Sequence, residues 1–454
     1  MKKKYVRWTL WTIASPFILF IILCILIYLP PIQNFLVDKA AVYASEATGM
    51  NISVGRISLS FPLNLVVTNV DAASPHNDTL LSVRRLQVNV QLLPLLKKQV
   101  EVDGISLQGA TVNSNDLIHG MKLNGTLGEL FISSHGVALD PETAIVNKVL
   151  LKDTDLSLCL NDTAAADTAA SDTTYWKIIL QDIDLQNVSF ALDMPLDSLS
   201  LAASLDNAIL RDGLIDLHKS AYSLQTFRIK NGRVRYDSGK PLAADSLPSG
   251  LDPSHIALTD IGVKLDSLYY GGRNMKAIIS QFVLKERSGV EIVSATGRMV
   301  SNDKVLRVPS LKLETRDSYL ELNAAMDWNA LDFKGEGLMS ARLMADIGKP
   351  DVVRFMGRMD EKFVRQYPSE PLRIRTGIDG DLNKLKLTTL TAELPGALGL
   401  FARGELTHLT DSLLRGGDIT LEAETKDLKF VSTLAEGIEI PYGTRLEGKF
   451  TMAG

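Results

Sequence analysis

The sequence predicts a mainly β chain of repeated, half-buried strands behind a single N-terminal transmembrane helix. Three observations carry that expectation. An uncharged apolar run lies near the N-terminus, the apolar period becomes two from residue 51 onward, and one strand template returns in four segments.

The apolar run is Trp8 to Leu29, WTLWTIASPFILFIILCILIYL. It holds no charge and is long enough as a helix to cross about 30 Å of hydrocarbon. Lys2, Lys3, Lys4 and Arg7 precede it, and Lys39 is the only basic residue in the stretch that follows. The positive-inside rule therefore places the N-terminus in the cytoplasm and exports everything after Pro30. Trp8, Trp11 and Tyr28 stand near the ends of the run, where amphipathic rings favour the headgroup level. A cleaved signal peptide would need a shorter core and a small-x-small site, and Pro30-Pro31 stand there instead. Cys24 lies inside the run behind large apolar residues, which argues for membrane filler and against a lipoprotein. The expected organisation is a tip and anchor over 1–31, an amphipathic helix over 32–50 and an exported β part over 51–454.

Within the helix, Phe35, Leu36, Ala40, Tyr43 and Ala47 share one face, and Gly49 is placed to stop it. Ile57, Leu59, Phe61, Leu63 and Leu65 then alternate with polar residues, as on a strand buried on one side. The alternation through Leu81 and Val83 slips by one at Arg84-Arg85 and resumes at Leu86, Val88 and Val90. A slip of one turns the apolar set to the other face unless the backbone bulges, so bulges are expected at such breaks.

The repeated template reads apolar, any, apolar, any, small polar, two free positions, apolar. It occurs in GISLQGATVNS, KVLLKDTDLSL, DIDLQNVSFAL and TFRIKNGRVRY. Its small residues are Gly109, Asp153, Asn187 and Asn231, types that tolerate positive φ, so the chain should corner in the same way each time. Two polar stretches, near 161–174 and 237–255, read as long exposed loops. Further strands are expected at 263–268, 278–284, 290–296, 311–322, 372–378, 385–394 and 419–424, about eighteen strands in all. Residues 350–366 have helical spacing, with Pro350 at the start. The final strand, through Leu446, Gly448 and Phe450, has no closing element, as in the N-terminal piece of a longer chain.

No enzyme signature is present. The six histidines are scattered, and no Walker loop, nucleophile elbow or dinucleotide turn occurs. Asp155, Asp182, Asp184, Asp193 and Asp197 alternate with apolar residues and read as the solvated side of strands. Cys159 is the sole exported cysteine, so no intrachain disulfide is available there. With Lys2, Lys3, Lys4 and Arg7 set apart, 44 basic groups face 53 acidic ones, a net charge of −9. That balance argues against nucleic acid as a partner. No cofactor or metal is expected.

The opening of the chain, with TGMNISVGRISLSFPLNLVVTNV and then DTLLSVRRLQVNVQLLPLLKKQVEVDGISLQGATVNS, resembles AsmA-like proteins, in particular their TamB branch. The likeness is closest over Thr48 to Ser114, in Gly49, Ile52, Gly55, Leu59, Phe61-Pro62, Leu80-Leu81 and Gly104 to Val112. It implies a single-pass protein of the bacterial inner membrane whose periplasmic bulk is a long curled, taco-like β-sheet groove with few short helices. It further implies transport of phospholipid or another acyl-chain lipid toward the outer membrane. In the TamB branch a C-terminal domain engages an Omp85-type barrel, and no such domain is present in this sequence.

A curled sheet with one apolar face must close on itself or keep that face for a guest. The second option has a motive, since a sixteen-carbon chain in water costs on the order of 12 kcal/mol at about 0.8 kcal/mol per methylene. The expected lining is Ile105, Leu107, Val112, Ile183, Leu185, Phe190, Phe227, Ile229 and Val234, each of which would equally serve as packed core. The alternative is a scaffold that assists assembly of outer-membrane or secreted β-proteins by offering strand edges.

Overall fold

A computed structural model gives the fold of residues 48–60, 64–74, 78–91, 102–114, 120–138, 142–161, 175–239, 250–332, 336–357, 359–434 and 441–453, with positions 35, 39, 41–43, 45 and 46. The apolar run 8–29, with its orienting and anchoring residues, lies outside the described residues. So do 162–174 and 240–249, the greater part of the two expected loops. Among the described residues no helix is long and apolar enough to cross a membrane. Described positions between 35 and 48 are helical, and Gly49, at φ +70°, ends the helix while donating its N–H to Ser45 O at 2.9 Å.

The chain is mainly β, with 21 strands among the described residues, in two compact units. The first unit holds β1 (Asn51–Ser60), β2 (Asn64–Ala73), β3 (Thr79–Val90), β4 (Val102–Asn113), β5 (Met121–Ala138), β6 (Thr143–Leu160) and β7 (Lys177–Met194). Strands β1 to β6 pair in sequence, each antiparallel to the next. Strand β7 joins β6 through side chains: Asn147 Nδ2 meets Gln181 Oε1, Asn187 Nδ2 meets Asp153 Oδ1 and Ser189 Oγ meets Asp155 Oδ2, at 2.9 Å each. All three contacts span the same 34 residues. A constant offset is what parallel neighbours give, whereas antiparallel neighbours give a constant sum. Two copies of the template thus stand in register, side by side.

The expected bulges form one seam. From β1 to β6 the pairing steps over Gly55, Asn69, Arg84, Gly109, Gly128 and Asp153 in turn, leaving the register intact on both sides. Asn69, Gly109, Asp153 and Asn187 have φ between +49° and +61°, so the small polar position of the template does corner the chain. Opposite Asp153, a Cβ at Gly128 would stand 2.8 Å from the aspartate Cβ, which is why the strand between them carries glycine. Because each strand bulges at the seam, Leu107 and Val112 share a face although five residues apart.

The second unit holds β8 (Leu199–Asp216), β9 (Ala221–Leu224), β10 (Thr226–Ser238), β11 (His255–Gly271), β12 (Asn274–Glu286), β13 (Glu291–Ser301), β14 (Val305–Thr315), β15 (Tyr319–Asp327), β16 (Met339–Ile347), β17 (Leu372–Gly380), β18 (Lys384–Leu394), β19 (Leu398–Thr407), β20 (Gly416–Thr425) and β21 (Arg445–Ala453), with Tyr175–Lys177. Strands β9 and β10 act as one strand broken at Gln225, since both pair with β8 and with β11. From β10 onward every strand is antiparallel to the next. Asp212, Asn231 and Asp260, at φ +52° to +53°, repeat the corner residue of the first unit.

Four expectations change. The alternation over 57–65 falls on two antiparallel strands, β1 and β2, with Leu59 opposite Leu65 and Ser60 opposite Asn64. The stretch 311–322 is two strands, β14 and β15, turned at Arg316–Ser318. The helix at 350–366 is two, α1 (Lys349–Phe355) and α2 (Glu361–Gln366), because Gly357 at φ +74° interrupts it. Strands β5, β8, β9, β16 and β19 were not expected, and the count among the described residues is 21 where about eighteen were anticipated. Asp360 caps α2 through its carboxylate, which accepts from Lys362 N at 2.7 Å. Phe363 on α2 packs with Tyr367, Leu394, Ala397, Leu428 and Phe430, a buried cluster seated where β17 begins, β18 ends and β19 begins.

Candidate functional site: an apolar sheet face

Cross-strand register converts the alternating pattern into continuous apolar rows. In the first unit one row reads Ile57, Val67, Leu86, Leu107, Leu130, Leu151, and its neighbour reads Leu59, Leu65, Val88, Ile105, Ile132, Val149. Beyond the seam Ile52, Ala72, Leu81, Val112, Gly125 and Leu156 continue the face. In the second unit a row starts at Ala208 on β8 and runs through Ile229, Val263, Phe282, Ala295, Leu313, Leu320, Ala345, Ile374, Ala392, Leu400 and Ala423 to Leu446 on β21. Every member is apolar. Phe227 belongs to the adjacent row, between Leu210 and Leu265, and Val234 lies between Ala203 and Leu258.

The other side of the second unit is charged. Lys312 and Glu321 are 4.0 Å apart on facing strands, Arg375 and Asp346 2.8 Å, Lys384 and Glu405 3.1 Å. Asp260 meets Lys285 Nζ at 2.7 Å, and that hydrogen bond holds the carboxyl below its ordinary pKa. Such exposed pairs contribute little stability, but they fix which side faces water.

Burial separates this face from an ordinary core. Most of its fully buried members are small, among them Ala208, Ala295, Ala345 and Ala402, with Val83 and Ile261 buried beside them, whereas many of its larger side chains are half-buried or exposed: Phe190 38%, Tyr270 46%, Phe450 47%. All nine residues expected to line it lie in these strands, and none is fully buried. Ile105, Leu107 and Val112 stand in the first unit's rows, and Phe227, Ile229 and Val234 in the second's. Ile183, Leu185 and Phe190 occupy on β7 the template positions that Val149, Leu151 and Leu156 hold on β6. Apolar rows of this extent with half-buried large side chains are uncommon in monomeric soluble proteins, which makes this face the candidate site.

The sequence reading missed the end of the face. Tyr222 and Tyr270 pair across β9 and β11 with rings 6.2 Å apart and stacked, and Tyr270 pairs onward with Met275. The alternation Leu268-x-Tyr270 carries that signal, but aromatic residues near a hairpin look like turn packing until the register is known.

Among the described residues no group of three or more His, Cys, Asp or Glu side chains could hold a metal ion. Cys159 is a free thiol whose Sγ lies 3.3 Å from Asn161 Oδ1. No protein-family model matches the chain, and no curated protein matches it.

Proposed function

We propose that the chain is a bridge-like lipid carrier of the bacterial envelope, anchored in the inner membrane by residues 8–29 and non-enzymatic. In this reading the strands after Gly49 stand in the periplasm. They carry phospholipids toward the outer membrane on their apolar face, in the manner of the AsmA-like, TamB-branch proteins that the opening segments resemble. One observation supports it above the others: the apolar rows continue from strand to strand while their large side chains stay only half-buried. A packed core would bury them, and a scaffold working through strand edges would not need the rows to continue. Acyl chains laid on such a surface keep methylene groups out of water at about 0.8 kcal/mol each, which removes most of the barrier to leaving a bilayer.

Organic extraction and native mass spectrometry of the purified full chain test the reading. Phospholipid should be bound at a reproducible ratio. Protein free of lipid that still captures an unfolded barrel protein would replace this proposal with the assembly scaffold.

A further inference from the structure

We infer that one edge of the second unit, from the β8–β9 turn to the end of β15, docks on the surface of a zwitterionic phospholipid bilayer with its tyrosine and tryptophan rings at the headgroup level. The docking stands on that edge alone. Its purpose, passage of lipid between a bilayer and the apolar face, rests on the carrier reading.

Both tryptophans outside residues 8–29, Trp176 and Trp328, stand along this edge, with Tyr175, Tyr222, Tyr269 and Tyr270. The four tyrosines are between 41% and 51% exposed. Contacts hold the rings in one line. Tyr175 meets His218 edge-on at 5.5 Å, and Tyr222 stacks on Tyr270 at 6.2 Å. Trp176 O accepts from Leu217 N at 3.1 Å, which fixes Trp176 beside the β8–β9 turn. Asn274 Nδ2 donates to Asp303 Oδ1 at 2.8 Å and Ser301 Oγ to Arg273 O at 2.7 Å, joining the next two turns. Trp328 donates its backbone N–H to Lys304 O and its indole N–H to Asn302 O, at 2.8 Å each. From the β8–β9 turn to the end of β15 is roughly 29 Å, at about 4.8 Å per strand.

The tyrosines of the opposite edge form no such line. Tyr367 lies in the Phe363 cluster, Tyr319 donates to Glu321 at 2.8 Å, Tyr236 is half-buried, and Tyr442 is exposed but stacks on no other ring among the described residues. Exposed aliphatic pairs occur at other turns, as at Leu413 and Leu414, and lack a polar tip.

Three properties of the line select a bilayer as its occupant. Tyrosine and tryptophan rings join an apolar body to a polar tip, the combination that gathers at membrane–water interfaces. The line is continuous with the apolar rows, since Tyr222 and Tyr270 are paired across β9 and β11 and Tyr270 pairs onward with Met275. Charge is mixed there: Lys219, Arg273 and Lys304 stand among Asp216, Asp303 and Asp327. An edge of mixed sign gains little from anionic lipid, so its rings must carry the attachment.

The full chain reports on this edge through its own fluorescence. With Trp8→Phe and Trp11→Phe, Trp176 and Trp328 are the tryptophans that remain. In vesicles of phosphatidylcholine brominated near the carbonyl end of its chains, this protein should lose roughly half of its emission relative to unbrominated vesicles, at low and high salt alike. Tyr269 lies opposite Ser223 and Lys276, and neither it nor Tyr175 belongs to the apolar rows. Tyr175→Asp with Tyr269→Asp should therefore cut the quenching at least about threefold at unchanged melting temperature, while Tyr175→Phe with Tyr269→Phe should keep most of it. Absence of quenching before these substitutions overturns the docking. Equal quenching in the aspartate variant overturns it too, because the bromines would then arrive as single bound lipids. Quenching that requires anionic lipid and fades with salt overturns the zwitterionic surface, and a dimer in detergent that the aspartate variant dissolves gives the edge to a second copy instead. Extractable lipid without quenching defeats this inference alone, whereas quenching without extractable lipid defeats the carrier reading and leaves the docking in place.

Discussion

The corner residues show how single side chains set the sheet. Asn187 and Asn231 hold φ near +52°, where a short polar side chain is tolerated and a β-branched one is not. Replacing Asn231 with Val should therefore destabilise the second unit by about 1–3 kcal/mol in denaturant titration, whereas Asn231→Gly should stay within about 0.5 kcal/mol. Equal effects would mean that the corner is set by its surroundings. The type and position of these residues were legible because four segments carried them at one place in a template. What the sequence could not show was that Arg84, Gly109 and Gly128 fall on one continuous seam, since that depends on register. A second residue-scale effect is electrostatic. Asp252 accepts from His255 Nδ1 at 2.8 Å and from Ser254 N at 3.0 Å, and these bonds, led by the histidine, hold its carboxyl below the ordinary value. A carboxyl depressed in the folded state adds stability above its unfolded pKa, near 3.9, and loses it as pH falls through the lower folded value. The melting-temperature gap between wild type and Asp252→Asn should be full at pH 6 and shrink below about pH 4.

At the scale of elements, strand existence was more legible than strand ends. Residues 311–322 read as one strand, yet the apolar parity switches between Leu313 and Leu320 across the polar run 315–318, and there Thr315 Oγ1 accepts from Ser318 N at 2.8 Å and turns the chain. Strand β8 was hidden for the converse reason: it is rich in alanine, and small residues blur the contrast on which alternation depends. The helix expected over 350–366 was right in kind, and Gly357 supplied the punctuation that divided it. Helix α2 matters beyond its six residues because Phe363, 1% exposed, centres the buried cluster over the ends of β17 to β19. Phe363→Ala should cost about 3–5 kcal/mol and lower the denaturation midpoint of the second unit. Truncating half-buried Phe282, in the middle of an apolar row, should cost clearly less, because fewer neighbours surround it. If Phe282→Ala proved as costly as Phe363→Ala, the face would be a core like any other.

For the molecule as a whole, alternation says which residues share a side and leaves open what covers that side, so the candidate lining was legible as a set and its purpose was not. Leu185 and Ile229 decide between a covered core and a surface kept for a guest. Both lie on strands whose large apolar side chains are half-buried, and Ile229 stands between Ala208 and Val263 in an unbroken row. An aspartate there would keep part of its hydration at an open face, so the fold should lose no more than about 1–2 kcal/mol. The same carboxylate would meet any acyl chain crossing the row and would be only partly solvated against it, a penalty of several kcal/mol for the bound lipid. In a covered core the balance reverses, since an unpaired buried charge is itself a severe lesion and costs the fold about 3–5 kcal/mol. Melting temperature and extracted phospholipid should therefore be measured on the same preparations of Leu185→Asp and Ile229→Asp. Near-normal melting with a severalfold fall in bound lipid is the outcome expected of a lipid-bearing face, and collapse of both variants, with wild-type protein carrying no lipid, would leave the apolar rows to packing alone.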